Sequence, residues 1–195
     1  MIFKSLKIRG LNKRLKAMQS FRLHNQPNDE TLAKEIAYYH ELAAIYTSLI
    51  GKKKYPFASE MVQACLRAAA TLDDIKSQYE LGKKLLNEAK FRNKLQQEEL
   101  FASEYNEKQM AQNYDEALVY LQSAEKMGHI EAKRLHGLCY INGWGVPVDK
   151  DKGFNLVVAS IEQEHSWERV PQIFAEIGLN KPEFFSALTK KRDKN

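Results

Sequence analysis

The sequence predicts an all-α protein made of helical hairpins in series, and three observations carry that expectation. Alternating apolar–polar runs bounded by turn residues are almost absent, with only a weak instance at Val146–Val148. Apolar residues recur instead at helical spacing along the whole chain. The chain also matches itself at a fixed offset, which points to a copied helix pair.

The first element is basic. Ile8, Leu11, Leu15 and Met18 form one helical stripe, beside Lys4, Lys7, Arg9, Lys13, Arg14, Lys16 and Arg22 and no acid up to residue 22. Three readings stand open for it: a helix that packs its stripe on the body, a surface for an anionic membrane or acidic partner, or a targeting segment. It holds no apolar core of the kind a secretory signal needs.

Asn28 and Asp29 are placed to cap a helix over 30–50, with Leu32, Ile36, Leu42, Ala43 and Tyr46 on its apolar side and Gly51 with Lys52–Lys54 ending it. Pro56 suits the first position of a helix reaching 71, and another helix follows over 74–89. Phe91–Gln112, rich in Gln, Glu and Lys, reads as one long exposed helix or helical extension. Asn113 and Glu116 have capping-box spacing for a helix to 127, closed by Gly128. Helices over 130–141, 150–163, 166–178 and 182–191 complete the chain, with Asn180 and Pro182 opening the last.

The chain of 195 residues is 44% hydrophobic and 28% charged, which excludes general disorder and fits one domain or a short repeat array. No apolar run approaches the roughly 18 residues of a transmembrane helix. Cys65 and Cys139 lack metal or disulfide spacing, so a reducing, cytoplasmic setting is expected, with peripheral membrane contact left open. The pI near 9.0 belongs to the ends: past residue 22 acids outnumber bases, although Lys190, Lys191, Arg192 and Lys194 crowd the C-terminus. No nucleic-acid partner is expected from that distribution.

Ala117 and Gly153, Tyr120 and Leu156, and Ala124 and Ser160 lie 36 residues apart. Ala69 with Ala124, Ser77 with Ala132, and Leu81-Gly82 with His136-Gly137 lie 55 apart, and the polar stretch 88–111 accounts for the difference. In the run Glu131–Lys152, Ala132, Gly137, Tyr140, Gly143, Gly145, Val146, Asp149 and Lys152 match the pattern Ala-x-x-x-Leu-Gly-x-x-Tyr-x-x-Gly-x-Gly-Val-x-x-Asp-x-x-Lys-Ala. That pattern resembles a Sel1-like repeat, well over 113–156 and weakly over 56–165. His136 stands in place of the Leu and Gly153 in place of the Ala; Ser160, Ile161 and Glu164 depart from the small residues the family prefers.

The resemblance implies a right-handed α-solenoid, related to tetratricopeptide hairpins, with one extended hairpin and helical caps. The implied organisation is a basic helix and linker over 1–28, a repeat domain over 29–164 with an extension at 88–111, and a helical cap with a basic tail over 165–195. Carried over by the Leu-Gly and Tyr landmarks, a concave partner-binding face would present Lys76, Tyr79, Lys83 and Leu86, then Glu131, Arg134, Leu138 and Ile141. The protein's own N-terminal helix filling that face is the competing expectation.

Chemistry is hard to find. Gly143-Trp-Gly-Val146 lacks the spacing of either phosphate-binding glycine motif. His24, His40, His129, His136 and His165 form no ligand pair, and His136 is expected to be packed and hydrogen-bonded. No Ser sits in a nucleophile elbow, and Glu98 and Glu99 belong to a polar helix. No catalytic residue, metal or cofactor is expected. The expected function is a non-catalytic adaptor or scaffold for a protein or peptide, which the resemblance associates with bacterial secretion, signalling or host interaction. The alternative is an anionic-membrane or polyanion binder acting through Lys4, Lys7, Arg9, Lys13, Arg14 and Lys16.

Overall fold

A computed structural model describes residues 2–100 and 102–192. Among these residues the regular structure is helical throughout, without a strand. The chain divides into two compact units, residues 1–82 and 83–195.

The first unit holds α1 (Ile2–His24), α2 (Asp29–Thr47), α3 (Ala58–Ala70) and the start of α4 (Ile75–Gln97). The α1 stripe is turned inward: Leu11 and Leu15 are buried and join Tyr39, Leu42 and Tyr46 of α2, with Val62, Cys65 and Ala69 of α3, in one core. Each buried leucine contributes about 1.5–3 kcal/mol, so α1 is held firmly on α2. Asn28 caps α2 as expected, its Oδ1 accepting from the Thr31 amide at 2.9 Å. Pro56 does not open α3. It occupies a turn closed by the Ala58 amide donating to the Tyr55 carbonyl at 3.2 Å, where its fixed φ suits the second turn position, and the helix begins two residues later. Asp74 ties the next corner, accepting from the Ser77 amide at 2.9 Å and meeting His40 Nε2 of α2 at 2.8 Å.

The second unit holds the rest of α4, then α5 (Glu104–Lys126), α6 (Ile130–Asn142), α7 (Lys150–Glu164), a 3₁₀ turn at Trp167–Arg169, α8 (Val170–Glu176) and α9 (Pro182–Arg192). The polar stretch Phe91–Gln112 is not one helix. Glu99 takes a left-handed conformation (φ 57°) and Ser103 caps a new helix, so the stretch folds back as the two arms of a hairpin. Asn106 clamps those arms, donating from Nδ2 to the Arg92 carbonyl at 3.1 Å and to Gln96 Oε1 at 3.0 Å. The capping-box reading of Asn113 therefore fails: it lies inside α5, because Ser103 caps that helix ten residues earlier.

α6 packs between α5 and α7. Its contact with α7 is backbone to backbone: a Cβ on Gly153 would stand 2.5 Å from the Gly137 carbonyl oxygen, and one on Gly137 would stand 2.6 Å from the Gly153 oxygen. Even alanine is too large at residue 153, which accounts for glycine where the repeat pattern has alanine. Gly143 and Gly145 (both φ 70°) turn the loop, and Asp149 caps α7 through the Lys152 amide at 2.9 Å. Beyond α7, Phe154 meets Phe174 and Phe184 at ring distances of 6.2 and 5.9 Å, and Phe174 meets Phe185 at 5.1 Å. Thus α8 and α9 close the unit's apolar side. Asp193 and Lys194, the end of the expected basic tail, lie outside the described residues.

Gly153→Ala is expected to cost about 1–3 kcal/mol through overpacking, lowering the melting temperature by roughly 3–10 °C. Gly10→Ala, where an added Cβ meets nothing within 4 Å, should instead hold or raise it. Thermal scans of the two variants beside the wild type check the contact.

Candidate binding groove

The residues carried over as a concave face differ in exposure. Lys76 and Tyr79 belong to the first unit and the other six to the second. Lys76, Lys83 and Glu131 are exposed, and Tyr79 is half-buried. Leu86 is buried, and Leu138 and Ile141, 6% and 7% exposed, sit in the core with Phe154, Val157 and Ile173. The physical reason for the last two is that α6 is packed on both sides, by α5 and α7, so its apolar positions have no outward face. Leu86, Leu138 and Ile141 are therefore packing residues, not partner contacts.

Arg134 is committed within the fold as well. Its Nη2 donates to Glu164 Oε2 at 2.6 Å and its Nε to Ser160 Oγ at 3.1 Å. Ser160 and Glu164 are thus both partners of Arg134. The Ser166 hydroxyl at 2.8 Å and then Arg134 hold the Glu164 carboxyl below its ordinary 4.5.

His136 is packed and hydrogen-bonded as expected, with Nδ1 2.6 Å from Glu125 Oε2 and its ring 5.1 Å from that of Tyr140. Trp144 packs against the core of the second unit, and the Lys90 ammonium lies 4.0 Å from its ring centre. Burial pushes the Cys65 thiol up to about 11 and the Cys139 thiol up to about 12, so both stay protonated, weak nucleophiles at neutral pH. Among the described residues, no three His, Cys, Asp or Glu side chains gather where a metal ion could be held.

The open concavity lies in the first unit, where α1 and α3 both pack on α2. It has a volume of about 470 Å³. Leu15, Tyr39 and Leu42 form its floor; Asn12, Lys16 and Gln19 of α1 form one wall; Met61, Ala64 and Ala68 of α3 form the other. A second depression of about 470 Å³ shares Ala64 and Ala68 and continues past them to Glu60, Gln63, Arg67 and Thr71. The two depressions thus adjoin at a pair of small side chains, Ala64 and Ala68.

The charged side chains lining the two depressions are Lys16 of α1 and Glu60 and Arg67 of α3. Lys16 lines the groove directly, and Arg9 and Lys13 are exposed on the same helix. The remaining bases of the alternative set are engaged within the unit. Lys4 donates to Ser48 Oγ at 2.8 Å, Lys7 meets Glu41 at 2.6 Å, and the Arg14 guanidinium stands 5.6 Å from the Tyr38 ring centre. Of the groove's residues, sequence reasoning singled out Leu15, Lys16, Leu42 and Cys65 for other reasons, and missed Asn12, Gln19, Tyr39, Met61, Ala64 and Ala68. The available signal was a small-residue stripe, Ala64 and Ala68, on a helix otherwise patterned for a core. No family model and no curated protein matches the chain.

Because the Glu164 carboxyl is depressed in the folded state, its stabilisation is present above pH 4.5 and is lost as pH falls through the folded value. Glu164→Gln should remove that component. The melting temperatures of the wild type and the variant are expected to differ at pH 6 and to converge in acid; a constant gap between pH 6 and pH 3 would contradict the pairing.

Proposed function

We propose that the protein is a non-catalytic adaptor that receives an acid-bearing amphipathic helix of a partner protein in the groove over α2. The observation that carries this reading is an apolar floor set beside a polar wall that presents Lys16. Met61 and Ala64, exposed above the floor of Leu15, Tyr39 and Leu42, would meet the partner's apolar stripe, while Lys16, with Lys13 nearby, would meet its acids. Electrostatics of this kind mainly sets encounter rate and partner choice; the apolar floor supplies affinity that survives salt.

The proposal includes the repeat architecture. We read the chain as a right-handed solenoid of Sel1-like repeats, with α5 to α7 as its best-formed copy and α8 and α9 as a cap. The close approach of Gly137 to Gly153, the left-handed Gly143 and Gly145, and the Asp149 cap support this, since each falls at a landmark of the motif. Adaptors in secretion, signalling or host interaction are the class of function that goes with such repeats, by analogy of fold.

Ala64→Trp fills the groove from an exposed position and should leave the melting temperature within about 1 °C, as surface changes away from special features do. Affinity capture from native lysate at high salt is expected to retain proteins on the wild-type bait that the Ala64→Trp bait loses. If both baits retain the same proteins, the groove is not the docking surface.

A second reading has its own observation. Phe3 and Leu6 are 87% and 60% exposed, and they share one outward stripe of α1 with Gly10 and Lys13. Apolar anchors beside bases suit the interface of an anionic membrane. On this reading the wild type binds phosphatidylserine vesicles at low salt, and Arg9→Glu with Lys13→Glu weakens binding about 30-fold or more, at roughly 1 kcal/mol per base. Equal partition to phosphatidylcholine and phosphatidylserine vesicles would eliminate it.

A further inference from the structure

Away from the groove, the first unit contains a smaller cavity of about 250 Å³ between the end of α1 and the start of α2. Its walls are almost all carbon, from Ala17, Met18 and Phe21 of α1 and Pro27 of the connecting turn. Thr31 also lines it, but its hydroxyl is already used, donating to the Asn28 carbonyl at 2.8 Å. The charged exceptions in this lining are Arg22 and Glu35, the latter a carboxylate only 2% exposed.

Glu35 is held loosely for a buried charge. The Arg22 guanidinium reaches Oε1 at 3.3 Å, and the Tyr39 hydroxyl reaches the same oxygen at 3.4 Å. Tyr39 in turn accepts from Gln19 Nε2 at 2.6 Å, which fixes its hydroxyl on the Glu35 side. Good charge-assisted bonds run about 2.7–2.9 Å, so both contacts are long. The second oxygen, Oε2, has no partner among the described residues. That oxygen is not sealed from solvent, so its donor must come from water or from a ligand.

The geometry points to a binding site for a small, uncharged, largely apolar molecule carrying one hydrogen-bond donor, such as a phenol or an indole, seated in the α1–α2 cavity with its donor on Glu35 Oε2. Size fits, since a cavity of about 150 Å³ already takes benzene. Charge fits as well. Arg22 already neutralises Glu35, so a neutral donor completes the hydrogen bonding without the desolvation that an ammonium group would suffer. A carboxylate would face Glu35 at short range. The site shares none of its lining with the groove over α2, so it stands or falls separately from the adaptor reading.

The test follows the backbone amide resonances of Ala17 and Thr31 in the full chain, titrated with p-cresol, 4-methylanisole, benzylamine and phenylacetate. The expected result is saturable binding of p-cresol, at least tenfold tighter than 4-methylanisole, which has the same body without the donor. N-acetyltyrosinamide carries the same phenol on a peptide backbone. If it binds tighter than p-cresol, a partner's side chain is the source of the donor; if weaker, a free molecule is. Ala17→Phe fills the cavity without touching Glu35 and should abolish every shift, while Glu35→Gln should narrow the gap between p-cresol and 4-methylanisole. No saturable shift with p-cresol, equal affinity for the two aryl probes, preference for benzylamine or phenylacetate, or undiminished binding to Ala17→Phe would each overturn the assignment.

Discussion

Two helices that touch through their backbones leave no freedom to slide, and the second unit is arranged around one such contact. With the Gly137 and Gly153 oxygens at the distance where side chains would otherwise begin, α6 and α7 are locked in register. The polar bonds between the two helices depend on that register. One turn before Gly137, Arg134 reaches Ser160 and Glu164, and Lys133 reaches Gln163 at 2.6 Å. One turn after it, Lys152 donates to the Tyr140 hydroxyl at 2.7 Å and lies 4.0 Å from its ring centre. A shift of one residue along α7 would break all of these together, and would also remove Phe154 from the aromatic cluster with Phe174 and Phe184.

The first unit solves a different problem. Its α1 is basic enough to stay in water, yet it carries one stripe that needs cover, and α2 provides it. The packing also arranges polar groups: Lys7 on Glu41, Arg22 on Glu35, Gln19 on Tyr39. Tyr39 serves two places, its ring in the groove floor and its hydroxyl toward Glu35. Burial raises the pKa of that hydroxyl, so it remains a donor over the physiological range.

Individual residues show how far local pattern could be read. Leu11, Leu15 and Asn28 do what their spacing predicts, because stripes and caps are settled within a few residues of chain. Pro56 and Asn113 were misread, and Phe91–Gln112 was left between one long helix and a helical extension, because alternatives of similar local energy competed. A turn used the proline, Ser103 took the cap, and Asn106 drew the polar stretch into a hairpin through bonds to residues 10 and 14 positions away. The expected partner face failed at Leu138 and Ile141 for a related reason. Helical periodicity marks those positions as apolar but cannot say whether one neighbour or two will cover them.

The sequence by itself determined that the chain is helical, where most helices begin and end, that its first helix is basic and amphipathic, and that glycines stand where α6 meets α7. These follow from backbone propensity, side-chain period and conformational freedom, all local quantities. Only the tertiary structure decided which apolar positions became core and which became open surface. It left a groove beside Ala64 and Ala68 and brought Glu35 against a carbon-lined cavity. Those outcomes depend on which helices meet and at what distance, and that is set by the joint packing of residues far apart in the chain.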